Sequence, residues 1–311
     1  MEEKNHHPYL KWILIGFLAL IWGSSFMLMK RGLVNIAPDQ MASIRMFSSF
    51  LFLVPFTFSR IREVKPHQWK YIAATGFLGN GIPAYLFSFA QTKVPSFMAG
   101  MLNSLTPVFT LGLGFIIFKT KVQGMRLFGV LLGLAGAVGL ILHNANGSVF
   151  QISWQAILVV LATVCYAGSV NVIRHKLNDA GSLTVSAFAL CFVGPLAGLY
   201  LFGFTDFVDR IGAENLQVTD SFMNFFTTHQ TGMLESLVSV LLLAMFGTAI
   251  SVVVFNQLIK IAGALFASSV TYLIPIVAML WGVVDGEPLQ LLHLLFLGAI
   301  LMGVYLINKS N

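Results

Sequence analysis

The chain has 311 residues, of which 57% are hydrophobic and only 10% are charged. A soluble domain carries about 25% charged residues, so this composition excludes a water-soluble globular protein. The formal net charge is +6. The basic residues lie in short gaps between apolar runs, where membrane topology explains them better than nucleic-acid binding does. The two cysteines have no metal-type spacing, and we expect neither a metal nor a cofactor.

Ten apolar runs follow one another along the chain, each long enough to cross a hydrocarbon core of about 30 Å as a helix. Only helices and closed barrels satisfy the backbone in lipid, and the alternation typical of barrel strands is absent. The sequence therefore predicts an all-α integral membrane protein with ten transmembrane helices. The runs lie at 12–29, 40–58, 71–90, 96–118, 124–142, 154–173, 183–203, 235–258, 264–284 and 289–307.

The 18 lysines and arginines are unevenly distributed between the two sides that these spans define. Thirteen lie in the N-terminus, the C-terminus and the gaps after spans 2, 4, 6 and 8, whereas four lie in the other gaps. Basic residues are enriched in cytoplasmic loops, so this bias predicts that both termini are cytoplasmic. The one long gap, 204–234, is then an outer loop. We expect a loop with a short interfacial helix, and the alternative is a lid over the outer mouth.

Polar residues recur on single faces of several spans, as Asn80 and Ser88 do in the third. Such faces point inward in a membrane protein, toward a cavity or a neighbouring helix. We predict that they line a central substrate cavity, and helix packing through small polar residues is the alternative. The predicted cavity residues are Trp22, Ser25, Arg45, Asn80, Ser88, Asn103, Tyr166, Ser169, Thr271 and Tyr272.

Arg45 lies about five residues inside the second span. A buried arginine is costly in the membrane and is expected to be paired or functional. The alternative is that its long side chain reaches back to the headgroups. No Asp or Glu lies deep in any span, which favours facilitated diffusion or exchange over carboxylate-coupled proton transport.

The two halves of the chain, 1–143 and 144–311, resemble one another. A shift of 168 residues places Gly79 on Gly247 and Pro107 on Pro275, and a shift of 144 places Trp22 on Tyr166 and Ser25 on Ser169. Each half contains five spans. Because five is odd, the second half enters the membrane from the opposite side, which predicts two inverted five-helix repeats.

Pro107 and Pro275 lie within spans at equivalent positions of the two halves. A proline deprives the carbonyl four residues earlier of its partner, here the carbonyls of Asn103 and Thr271. Those carbonyls must find water, a neighbouring helix or a substrate. We predict that the two prolines act as paired hinges, and the alternative is a simple kink healed by packing.

Several of these segments together resemble the EamA family of the drug/metabolite transporter superfamily. The resemblance rests on the run from Ile21 to Phe26, Arg45, the segment from Asn103 to Pro107 and the glycine-rich fifth span, and it extends over residues 10–307. It implies two inverted five-helix repeats around a central cavity, export of amino acids or other metabolites, and a bacterial inner membrane.

One position departs from the family pattern, which has a glutamate after the fourth helix and another after the ninth. Glu287 matches the second of these, but Lys119 stands at the first. Any role that the two acids share is therefore in question for the first half of this chain.

The predicted function is that of a secondary transporter, which moves a small organic metabolite such as an amino acid across the inner membrane by alternating access, with export as the expected direction. One alternative is a non-transporting membrane sensor, which would not need inverted repeats. Another is a membrane-embedded lipid-handling enzyme, but the sequence shows no cluster of acids or histidines at membrane depth. The expected partners are a small-molecule substrate and the lipid bilayer, without nucleic acid, for a chain acting as a monomer or homodimer.

Overall fold

The computed structural model describes residues 9–119, 124–143, 154–213, 232–263, 266–267 and 269–309. Within these ranges every regular element is helical. The helices are α1 (Leu10–Gly32), α2 (Pro38–Leu53), α3 (Pro55–Phe58), α4 (Trp69–Gly76), α5 (Ile82–Ala90), α6 (Ser96–Asn103), α7 (Thr106–Phe118), α8 (Gly124–Leu142), α9 (Trp154–Lys176), α10 (Ser182–Phe204), α11 (Phe207–Ala213), α12 (Met233–Leu242), α13 (Ser251–Ala262), α14 (Ile274–Val284) and α15 (Leu291–Lys309).

Two helical segments are continuous but change their winding midway. The π-helical turn Phe77–Gly81 joins α4 to α5, and the π-helical turn Leu243–Ile250 joins α12 to α13. Such turns are uncommon and occur frequently at functional sites. Both lie beside the central cavity described below.

Six helical segments of the described chain are long and apolar enough to cross a membrane. They are Leu10–Gly32, Ser96–Phe118, Gly124–Leu142, Trp154–Lys176, Ser182–Phe204 and Met233–Ala262. Large apolar side chains face outward from the bundle, with Ile116 73% exposed and Leu291 72% exposed. Exposure on this scale is unfavourable in water and suits hydrocarbon. The chain is therefore a multi-pass membrane protein, and a total of ten crossing helices stays a prediction.

The long gap 204–234 begins with the short helix α11. Gln40 donates a hydrogen bond to Asp206 at 2.6 Å, and Arg210 donates one to the carbonyl of Asn35 at 2.8 Å. These bonds attach the start of the gap to the first turn of α2 and to the connection between α1 and α2. Residues 214–231 of the gap lie outside the described residues, so the lid hypothesis stays a prediction.

A second tie joins the connection between α3 and α4 to the one between α9 and α10. Lys65 pairs with Asp179 at 2.6 Å, and Thr184 donates a hydrogen bond to Glu63 at 2.5 Å. The bond from Thr184 lowers the pKa of the Glu63 carboxyl, and the bond from Lys65 lowers the pKa of the Asp179 carboxyl. Both carboxylates therefore stay ionised at neutral pH, and the tie persists there.

The two prolines predicted as hinges lie in the first turns of α7 and α14, where a helix leaves its amides unpaired in any case. The helix has already broken before each proline. The carbonyl of Asn103 accepts a hydrogen bond from Thr106 Oγ1, and the carbonyl of Thr271 accepts one from Ser104 Oγ, both at 2.8 Å. Of the partners expected for these carbonyls, the structure shows hydroxyls of neighbouring segments, so neither carbonyl depends on water or substrate.

Helices α8 and α15 pack against each other through glycines. A Cβ atom added to Gly303 would lie 2.5 Å from the carbonyl oxygen of Gly129 and 2.7 Å from the amide nitrogen of Gly133. Only a residue without a side chain permits this approach of the two backbones. The glycine face of α8 therefore serves as scaffold.

We expect Gly303→Val to lower the thermal unfolding temperature of the detergent-solubilised protein, because the new side chain meets backbone that cannot yield. Overpacking of this kind costs about 1–3 kcal/mol. The matched control is Gly298→Val in the same helix, where nothing lies within 4 Å of the added Cβ. Equal unfolding temperatures for the two variants would contradict this packing.

Candidate functional site: a central polar cavity

A cavity with a volume of about 120 Å³ lies at the centre of the bundle. Its described lining comes from both halves of the chain and includes no residue of α8 or α15. The polar side chains along its wall are those of Trp22, Ser25, Arg45, Thr75, Asn80, Asn103, Thr106, Tyr166, Ser169, Thr248, Asn256 and Thr271.

Arg45 is the only charged side chain in the described lining of this cavity. It is buried, at 8% exposure, and its Nε donates a hydrogen bond to Thr248 Oγ1 at 2.7 Å. Tyr166 lines the same cavity. The alternative in which Arg45 reaches the headgroups is therefore wrong. A buried cation in a medium of low dielectric constant favours an anionic group nearby.

Two amide oxygens in the cavity wall have no hydrogen-bond partner among the described residues. They are Oδ1 of Asn80 and Oδ1 of Asn103, on side chains that are more than nine-tenths buried. A buried acceptor without a partner is destabilising, so each oxygen calls for a donor from water or from a ligand. The cavity wall thus contains one cation and two residues with an unbonded, buried amide oxygen.

The same serine–glycine contact occurs twice beside the cavity. A Cβ atom on Gly247 would lie 2.8 Å from Ser25 Oγ, and a Cβ atom on Gly79 would lie 2.5 Å from Ser169 Oγ. Each glycine is in one of the π-helical turns. The 144-residue offset relates Ser25 to Ser169, and the 168-residue offset relates Gly247 to Gly79. The two contacts therefore occupy equivalent positions in the two halves.

Aromatic contacts follow the same relation. The rings of Trp22 and Phe255 meet edge to face with their centroids 5.1 Å apart, and the rings of Tyr166 and Phe87 stack at 6.0 Å. The 144-residue offset relates Trp22 to Tyr166, and the 168-residue offset relates Phe255 to Phe87. The cavity is therefore built from two similar sets of contacts, one from each half of the chain.

Eight of the ten predicted cavity residues line the cavity, and Ser88 and Tyr272 do not. Ser88 is buried and donates to the Ala84 carbonyl. Two successive four-residue steps rotate a helix face by about 80°, which carries Ser88 away from the direction of Asn80. Tyr272 follows Thr271 in a 3₁₀ turn, where successive side chains diverge by about 120°. It lies instead in a surface groove with residues of α15.

The lining also contains polar residues that the sequence analysis did not select, notably Thr248 and Asn256 on the segment from α12 to α13. A signal for them exists. The 168-residue offset that relates the halves converts Asn80 into Thr248 and Ser88 into Asn256. Applying the offset to every predicted polar position would have found both.

Within the part of the chain that the structure describes, no group of three or more His, Cys, Asp or Glu residues is placed to hold a metal ion. The chemistry that the cavity supports is hydrogen bonding and charge pairing with a small molecule.

Comparison with known proteins assigns the chain to a family. The model of the EamA-like transporter family matches residues 10–142 and again 153–309. The chain is 28% identical over 301 residues to the inner membrane transporter YedA of Escherichia coli (strain K12), a match that covers 94% of this chain and 89% of that protein. It is 27% identical over 172 residues to the "Probable amino-acid metabolite efflux pump" of Salmonella typhimurium, over 52% of this chain and 54% of that protein.

A known crystal structure superposes on this chain with a TM-score of 0.62 at 15% sequence identity, over 95% of both chains. The overall fold is therefore one that crystallography has already found. Since the family model matches both halves and together almost the whole chain, this protein belongs to the EamA-like transporter family and is a membrane transporter.

Proposed function

We propose that the protein is a secondary transporter that exports a small organic metabolite, an amino acid or a related compound, across the inner membrane. It has ten crossing helices in two inverted five-helix repeats, 1–143 and 144–311, and both termini are cytoplasmic. The central cavity is the substrate site, and alternating access opens it to one side and then the other. It acts as a monomer or homodimer.

The paired contacts beside the cavity are the observation that supports alternating access. Ser25 with Gly247 and Ser169 with Gly79 form equivalent contacts in the two halves. A transporter built from inverted repeats reaches its second state when each repeat adopts the conformation of the other. Equivalent contacts around one central cavity are what this exchange requires.

The substrate class follows from the polar groups of the cavity wall. Arg45 supplies a buried cation for a carboxylate, and the free amide oxygens of Asn80 and Asn103 supply acceptors for N–H or O–H groups. An α-amino acid carries both kinds of group on a small body. The described lining contains no acidic side chain that would select an organic cation.

The proposal is tested by counterflow in proteoliposomes that hold the purified protein, with labelled amino acids and their carboxamides as the panel. We expect exchange of compounds with a free carboxylate and little exchange of the carboxamides. In Arg45→Gln the uptake of the carboxylate compounds should fall roughly tenfold or more, because a hydrogen bond to a charged group contributes about 1.5–3 kcal/mol.

Arg60→Gln is the matched control, since Arg60 is at the protein surface and pairs with Glu63 at 3.1 Å. It should transport like the parent protein. If the parent protein exchanges no compound of the panel, the proposed substrate class is wrong. If carboxylates and carboxamides exchange equally well, the role given to Arg45 is wrong.

Cysteine labelling tests whether the cavity is the substrate site. In a background of Cys165→Ser and Cys191→Ser, Ser169→Cys should react with a small water-soluble maleimide, and substrate should slow the reaction. Ser88→Cys is the matched control, because Ser88 is buried and does not line the cavity. Equal labelling of the two cysteines, or no protection by any transported compound, would show that substrate does not occupy this cavity.

The hinge proposal for Pro107 and Pro275 rests on the helix breaks that precede them at equivalent positions. Pro→Ala allows each break to close into continuous helix. Because the repeats are inverted, Pro107→Ala and Pro275→Ala should shift the labelling of Ser169→Cys from the two membrane sides in opposite directions. Pro38→Ala, in the first turn of α2, should leave it unchanged. Labelling that moves in the same direction in both variants would contradict paired hinges.

A further inference from the structure

One end of the bundle, which we call the charged end, is held by ion pairs between the end of α1 and the residues after α14. Arg31 pairs with Asp285 at 2.5 Å, and Lys30 pairs with Glu287 at 2.9 Å. The side chains of Arg31, Asp285 and Glu287 are each at most 5% exposed. Charges buried to this degree depend on their partners, because removing one partner leaves the other charge uncompensated.

Glu287 also joins a third element to this contact. Its carboxylate accepts hydrogen bonds from the backbone amides of Ser96 at 3.0 Å and Phe97 at 3.2 Å, in the first turn of α6. A carboxylate is favoured there by the free amides and by the helix dipole. Gly282 leaves room for it, since an added Cβ would lie 2.8 Å from Glu287 Oε2. One carboxylate therefore links α1, α6 and the end of α14.

The equivalent positions in the other half of the chain lack this arrangement. The offsets of 168 and 144 residues convert Asp285 and Glu287 into Ile117 and Lys119, and convert Lys30 into Arg174. Ile117, Lys119 and Arg174 are exposed. No ion pair among the described residues joins α7 to the end of α9. The opposite end thus carries like charges where the charged end carries opposite charges.

We propose that Lys30, Arg31, Asp285 and Glu287 are gating residues, which lock the outer end of the cavity so that the empty transporter rests open toward the cytoplasm. Which side of the membrane these residues close rests on the proposed function and its topology, in which the end of α1 faces outward. Inverted repeats of identical sequence would populate the two states equally. The carboxylates of the charged end are buried, whereas the Lys65–Asp179 pair at the opposite end is exposed and contributes little, so the charged end shifts that balance. A transporter that rests in this state loads its cavity from the cytoplasm, as export requires.

The lock is tested by the two-sided accessibility of a cavity cysteine, Ser25→Cys, in the background without Cys165 and Cys191. A membrane-impermeant maleimide is applied to sealed vesicles of each orientation, without substrate. Asp285→Asn and Lys30→Gln should raise the rate of labelling from outside by roughly 5-fold or more, and lower the rate from inside. Arg60→Gln, which removes an exposed ion pair within a single connection, is the matched control and should change neither rate.

A gain-of-function variant keeps the test decisive if Asp285→Asn is poorly folded. Lys119→Glu gives an acid to the exposed position equivalent to Glu287, and Arg174 is at the position equivalent to Lys30. It should hold the inner end closed, raising outside labelling and lowering inside labelling, whereas Lys119→Gln should have a smaller effect. Rates that match the Arg60→Gln control in every variant, or that rise equally from both sides, would overturn the lock. Labelling needs no substrate, so a failure of transport in proteoliposomes does not decide this result.

Discussion

Hydrocarbon cannot solvate polar groups, and this constraint governs how the bundle is built. Each helix break leaves a carbonyl that a hydroxyl then bonds, as Thr106 does for Asn103 and Ser104 does for Thr271. Arg45 is held by Thr248. Against this background the unbonded amide oxygens of Asn80 and Asn103 stand out. Both residues line the central cavity, which is the site proposed for the substrate.

The helical architecture follows from the sequence because each predicted run is apolar over a length that only a helix can satisfy in lipid. The repeat offsets also carry real spatial information, since they relate the contact of Trp22 with Phe255 to that of Tyr166 with Phe87. Local patterns fail where the winding departs from 3.6 residues per turn. The π-helical turns could not be foreseen from hydrophobic periodicity, and Tyr272 was misplaced because its turn is a 3₁₀ helix.

Long-range pairing is the other limit of sequence analysis. Arg31 and Asp285 are 254 residues apart in the chain, and no sequence pattern around either residue predicts the pairing. The substitution of Lys119 for the family glutamate was visible in the sequence, but its meaning depends on the three-dimensional setting of Glu287. That carboxylate caps α6 and pairs with Lys30. The two halves of this chain are therefore alike in fold and unlike in the charges at their ends.

The glycine contact between α8 and α15 has a mechanical consequence. These are the last helices of the two halves, and their backbones already touch at Gly129 and Gly303, so neither can advance toward the other. Without protruding side chains they can still tilt across this contact. In the proposed alternating access, the relative displacement of the halves is then smallest at this contact and increases with distance from it. A tilt of a few degrees at this point displaces the far side of the cavity by the largest amount.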